Sequence, residues 1–151
     1  ISQNISHFGF SVLILSILLN NLFSTEIITN LKVGENFKFE NTKIIFENIN
    51  QKEEKNYRSI IGNFTIQNSD GKIENMFPEL RIYNQPNIVT SEADIKTTLV
   101  SDTFIVINLV QNQDYFNIRY QVKPFMIWIW LSVILISFGG LISLMKKDYE
   151  K

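Results

Sequence analysis

From Pro124 to Leu144 the chain reads PFMIWIWLSVILISFGGLISL, without one charged side chain. As an α-helix rising 1.5 Å per residue it reaches roughly 31 Å, enough for the hydrocarbon core of a bilayer. Lys123 precedes the run, and Lys146, Lys147 and Lys151 follow it. Pro124 suits a first helical turn, where its missing N–H costs nothing. Phe125, Trp128 and Trp130 gather at the start, where amphipathic rings anchor at a membrane–water interface. Helices apolar on every side also occur buried in large soluble proteins.

A second apolar block lies upstream, Phe8–Phe23, FGFSVLILSILLNNLF. It reaches only roughly 24 Å as a helix, and Ile1 and Ile5 continue the apolar trend ahead of it. The chain opens on Ile1 with no basic region before the apolar run, unlike a signal peptide. We therefore expect the tail of a longer polypeptide, with residues 1–23 an N-terminally truncated transmembrane helix. A signal anchor beginning at residue 1 would lack its positive flank.

The charges lie between the blocks. The chain has 151 residues, with 14 Lys and Arg against 15 Asp and Glu; residues 24–123 hold 11 of the basic and 13 of the acidic ones. This partition excludes a simple globule with one amphipathic core. A net charge of −1, with no basic patch, argues against nucleic acid as a partner. With no Cys, the chain forms no disulfide and offers no thiolate to a metal. The lysines after Leu144 put the tail on the cytoplasmic side by the positive-inside rule, and residues 24–123 on the opposite side.

In that polar centre, β-branched and aromatic residues alternate with polar ones in short runs broken by turn residues. The expected strands are 36–39, 43–50, 59–67, 72–77, 79–83, 95–99, 103–110 and 115–122. Asn68-Ser69-Asp70-Gly71 is a hairpin turn and residues 112–114 a second turn. Residues 51–56 read as a solvated hairpin tip and residues 84–94 as a loop. The expected architecture is a membrane α+β protein: two transmembrane helices flanking a small antiparallel all-β extracytoplasmic domain. Its parts are residues 1–23, 24–123 and 124–145, with a cytoplasmic tail at 146–151.

Chemistry-bearing patterns are scarce. There is no phosphate-binding glycine loop, nucleophile elbow or HExxH, and the carboxylates, Glu92 and Asp94 among them, read as solvated surface charge. Asn63-Phe64-Thr65 matches a glycosylation sequon, a pattern common by chance. The single histidine, His7, stands at the head of the first apolar block. An ionisable group in a membrane helix points to function, and imidazole is a good axial ligand for haem iron, with Ser11 one turn on leaving room. The other reading is a histidine hydrogen-bonded near the interface to lipid or a neighbouring helix. Gly139 and Gly140 permit close helix–helix approach.

Taken in order, the segments resemble a known family. His7-Phe8-Gly9, then Pro78-Glu79-Leu80-Arg81-Ile82-Tyr83, Thr90-Ser91-Glu92-Ala93-Asp94-Ile95, Ser101-Asp102-Thr103-Phe104, and finally Lys123-Pro124-Phe125-Met126-Ile127-Trp128-Ile129-Trp130 with Gly139-Gly140-Leu141 resemble the C-terminal part of the CcmF family of cytochrome c-type biogenesis proteins, the haem lyase component. The likeness covers essentially the whole chain. It implies a role in haem delivery from a haem chaperone for covalent attachment to apocytochrome c, together with other cytochrome c maturation subunits. It also implies a b-type haem between two transmembrane histidines, of which His7 matches the second; the haem b partner ligand would come from the missing upstream region. The implied location is the bacterial inner membrane, or the mitochondrial one, with residues 24–123 on the periplasmic or intermembrane side. No self-contained active site is expected in this chain, and a membrane-tethered β domain acting as a scaffold or docking module in another complex is the alternative.

Overall fold

The computed structural model describes residues 2–148. Their order is α1 (Ser2–Phe23), β1 (Thr25–Leu31), β2 (Asn36–Phe39), β3 (Thr42–Glu53), β4 (Tyr57–Asn68), β5 (Ile73–Met76), β6 (Glu79–Tyr83), β7 (Ile88–Glu92), β8 (Asp94–Thr97), β9 (Ser101–Leu109), β10 (Phe116–Pro124) and α2 (Met126–Asp148). The chain forms two compact units: a helical one from its two ends and residues 97–102, and a β unit from residues 26–96 and 103–121.

The β unit is a sandwich. One sheet has the order β1-β10-β9-β8; the other runs β2-β3-β4-β6-β7, with β5 also on β4. Alternation decides which side chains go in. On β4, Ile60, Gly62, Phe64 and Ile66 are buried at every second position, and Ile44, Phe46, Met76, Leu80, Ile105, Ile107, Ile118 and Tyr120 meet them in the core. Phe46 stacks on Phe64 with centroids 4.4 Å apart and takes the edge of Phe116 at 5.7 Å. Gly62 is where these rings need space: a Cβ there would stand 2.7 Å from Phe64 Cε2 and 3.2 Å from Ile107 Cδ1.

β3 breaks its own alternation. Phe46 faces Phe64, but the next pair is Asn48 with Asn63, so Glu47 has no partner. That bulge keeps Ile49 opposite Gly62 on the inner side; uninterrupted alternation from Ile44 and Phe46 would have turned Asn48 inward instead. Asn48 instead accepts a hydrogen bond from the Asn63 side-chain amide, so the sequon asparagine spends its nitrogen on a sheet neighbour.

The expected strands 36–39 and 79–83 match β2 and β6, and the other six overlap observed strands within a few residues. The Asn68–Gly71 turn joins β4 to β5, with Gly71 at φ +82° donating its N–H to Asn68 O at 3.0 Å. The turn at 112–114 joins β9 to β10, with Asn112 at φ +60°. Two strands escape the reading, β1 and β7, and β7 falls within the expected loop 84–94. The expected hairpin tip is narrower than 51–56, since β3 runs on to Glu53.

In the helical unit α1 extends from Ser2, ahead of the apolar block, and α2 runs to Asp148. Both are long and apolar enough to cross a membrane, and they carry large exposed apolar side chains, among them Phe10, Leu18, Leu22, Trp130, Phe138 and Leu144. Pro124 corrects the sequence reading. It closes β10 rather than opening α2, and Phe125 at φ +60° turns the chain between them. A residue before proline is biased towards extended backbone, which favours strand up to Lys123. Ile1 and the tail residues 149–151, with Lys151, lie outside the described residues.

Candidate functional site

His7 sits in the second turn of α1, on an exposed position. The two helices lie antiparallel, because Ser6 reaches Ile136 O at 3.4 Å near one end and Asn20 Nδ2 reaches Pro124 O at 2.6 Å near the other. Their facing stripes are built from small residues seven apart: Gly9 and Ser16 on α1, Ser132 and Gly139 on α2, all buried. Close approach centres on Gly9, where a Cβ would lie 3.0 Å from Ile136 Cγ1 and 3.1 Å from the Ile136 backbone nitrogen. Gly140, expected to allow such contact, has nothing within 4 Å of the same position.

Two residues before Gly9, His7 lines a groove with Gln3, Ser6, Gly139, Gly140 and Ser143. The neighbouring serines do not compete for the ring: Ser11 Oγ donates to His7 O at 2.9 Å. No described residue hydrogen-bonds the imidazole. On the α2 side the groove is lined by Gly139, Gly140 and Ser143, all small residues, which leaves room beside the ring. Among the described residues no group of three or more His, Cys, Asp or Glu could hold a metal ion, so His7 is here a single donor.

The other motif segments are spent on structure. Alternation puts Glu79, Arg81 and Tyr83 on one face of β6, beside Tyr57 and Ser59 of β4 and Thr90 and Glu92 of β7. Arg81 donates to both Glu79 oxygens at 3.1 Å and stands 3.7 Å from Glu92 Oε1. Ser59 Oγ donates to Glu79 Oε1 at 2.6 Å, and the guanidinium lies 5.3 Å from the Tyr57 ring centroid. The Arg81 hydrogen bonds hold the Glu79 carboxyl below its ordinary pKa; partial burial works against them and Ser59 adds to them. Asp94, read as solvated, accepts the Phe77 N–H at 2.7 Å. At the start of α2, Trp128 donates its indole N–H to Leu99 O at 2.8 Å, and Phe125 N–H donates to Val100 O at 2.8 Å.

Comparison with known proteins draws these parts together. The model of the family described as the CcmF C-terminal beta-sandwich matches residues 22–124, more than half of the chain. The chain belongs to the CcmF family. Its relatives include the cytochrome c-type biogenesis protein CcmF of Pseudomonas fluorescens, 28% identical over 98% of this chain and 22% of that protein. CcmF of Escherichia coli K12 is 25% identical over 97% of this chain and 23% of its own length. A solved structure of the cytochrome c heme lyase CcmF superposes with a TM-score of 0.72 at 15% identity, over 93% of this chain and 23% of that one, a likeness of fold. The chain thus spans between a fifth and a quarter of the length of these relatives. For the CcmF segment it represents, the structure contains two apolar helices flanking an antiparallel all-β domain, as expected, and that domain is a sandwich.

Asn20 and Gly9 were missed as working residues. Asn20 lies unremarked within the first apolar run, and Gly9 entered only as the end of the His7-Phe8-Gly9 triplet.

Proposed function

We propose that this chain is the C-terminal portion of a membrane haem lyase subunit in cytochrome c maturation, and that His7 is one axial ligand of its haem b. The supporting observation is the position of His7: an imidazole without hydrogen-bonding competitors among the described residues, on a groove that small residues of α2, Gly139, Gly140 and Ser143, also line. A haem bound there would be held by the His7 imidazole and would supply an iron centre. The chain has one histidine, so a second histidine ligand would come from outside residues 1–151. This chain's own contribution is to hold one ring at a fixed height, through the Gly9 contact that locks α1 to α2.

In this reading α1 and α2 cross the bacterial inner membrane, or the mitochondrial one, and residues 24–123 face the periplasm or intermembrane space. Haem chaperone, apocytochrome c and other maturation subunits are then the partners. The sandwich serves as a fixed body within that assembly, consistent with Glu79, Arg81, Ser59 and Glu92 being engaged with one another. The test is His7→Ala in the complete membrane protein that contains this chain, read by its reduced-minus-oxidised spectrum. Loss of the b-type haem signal is expected, with membrane levels of the protein unchanged. An undiminished signal would remove His7 from the haem site.

A further inference from the structure

The turn between β8 and β9 carries two large apolar side chains that the described residues leave open: Leu99 is 68% exposed and Val100 64%. Tight turns ordinarily take polar residues, Gly or Pro. This one is nonetheless firmly built. Thr98 N–H and Thr98 Oγ1 both donate to Ser101 O, at 3.0 and 2.8 Å, and Thr98 Oγ1 accepts the Ser101 N–H at 3.0 Å. The carbonyls at its tip, Leu99 O and Val100 O, take the Trp128 indole and Phe125 backbone N–H groups of the α2 start. A loop held by this many hydrogen bonds, with both tip carbonyls paired and its two apolar side chains exposed, has the chemistry of a surface meant to leave water.

We propose that the Leu99–Val100 tip is a third membrane contact, its side chains lying in the acyl–headgroup boundary beside Trp128. The proposal rests on the reading of α1 and α2 as membrane-crossing. Lipid is the occupant because the tip is hydrogen-bonded to Trp128, itself 41% exposed, at the start of a helix long and apolar enough to cross a membrane. Trp128 also sits where indole rings collect, at the level of the headgroups. The tip fixes how far α2 can rise out of the bilayer, since the Trp128 hydrogen bond ties the two together.

The absence of cysteine makes the test direct. Single-cysteine variants Leu99→Cys, Val100→Cys, Phe138→Cys and Ile73→Cys carry an environment-sensitive fluorophore, in the chain reconstituted into phosphatidylcholine vesicles. Quenching is measured with iodide in water and with nitroxides on shallow and deep acyl positions. At residues 99 and 100 the probes should be blue-shifted, several-fold less quenched by iodide than at Ile73 on β5, and quenched most by the shallow nitroxide. Iodide access equal to that at Ile73 overturns the proposal. So does a probe shielded from iodide yet untouched by either nitroxide, which would mean a protein covers the tip. The Phe138 probe, in mid-helix, separates the two ideas: quenching there by the deep nitroxide with none at the tip sinks the tip alone. If Phe138 also escapes the nitroxides, the membrane reading falls and the tip falls with it.

Discussion

Glu79 shows how one carboxylate can hold three strands in register. Its oxygens accept from Ser59 on β4 and Arg81 on β6, while Arg81 reaches on to Glu92 on β7. Because Arg81 lowers the Glu79 pKa in the folded state, this contribution to stability is fully present above the unfolded value of 4.5 and is lost as pH falls through the lower folded value. Both side chains are partly exposed, which screens the pair, so about 1 kcal/mol is expected at neutral pH. Glu79→Gln should lower the urea midpoint of the β signal at pH 7, and the gap from the parent chain should close as pH drops below 4.5. A gap independent of pH would show that charge is not what Glu79 contributes. The sequence contained this network only as a motif: strand pairing brings Ser59 and Glu92 to it from 20 residues upstream and 13 downstream of Glu79, and local pattern carries no information about such partners.

At the scale of elements, strands were legible where one face is buried and the other wet, as along β4, whose inner positions are Ile60, Gly62, Phe64 and Ile66. β7 was hidden because it lies at the edge of its sheet and its Ile88 and Val89 are both exposed, so no burial periodicity marks it. β1 was hidden because it begins two residues beyond α1 and only Leu31 is fully buried. The helices were plain from their lack of charge, but their mode of contact was not. Gly139 and Gly140 drew attention as a pair; Gly139 lies buried on the facing stripe while Gly140 meets open space, and Gly9, which meets the Ile136 backbone, was not singled out for closeness. Gly9→Ala gains about 1 kcal/mol of helix propensity but meets backbone, which no rotamer change relieves, at a cost of about 1–3 kcal/mol. The expected result is a lower melting temperature of the helical signal in detergent micelles. A higher one would mean that the helices are not locked at this point.

For the whole molecule, the division into a sandwich and a helical unit gives each its own reporter. Both tryptophans lie on α2, while four of the five tyrosines, Tyr57, Tyr83, Tyr115 and Tyr120, lie in the sandwich unit. In mild detergent, urea should abolish the β signal and the tyrosine environment while tryptophan emission persists, because apolar helices remain solvated by detergent. Coincident transitions would show one cooperative body. The candidate haem position was legible as His7 because a lone histidine in an apolar run is conspicuous; its groove was not, since Gln3, Gly139, Gly140 and Ser143 gather there only when the helices pair antiparallel. The bulge at Glu47 bears on the molecule in another way, as a matter of chain length. Every other residue from Thr42 to Glu53 has a designated partner on β4, so removing one of them reassigns its neighbours to the wrong face. Glu47 alone holds no such place, and the fold carries it as a spare residue that the chain can lose without changing the partner of any other.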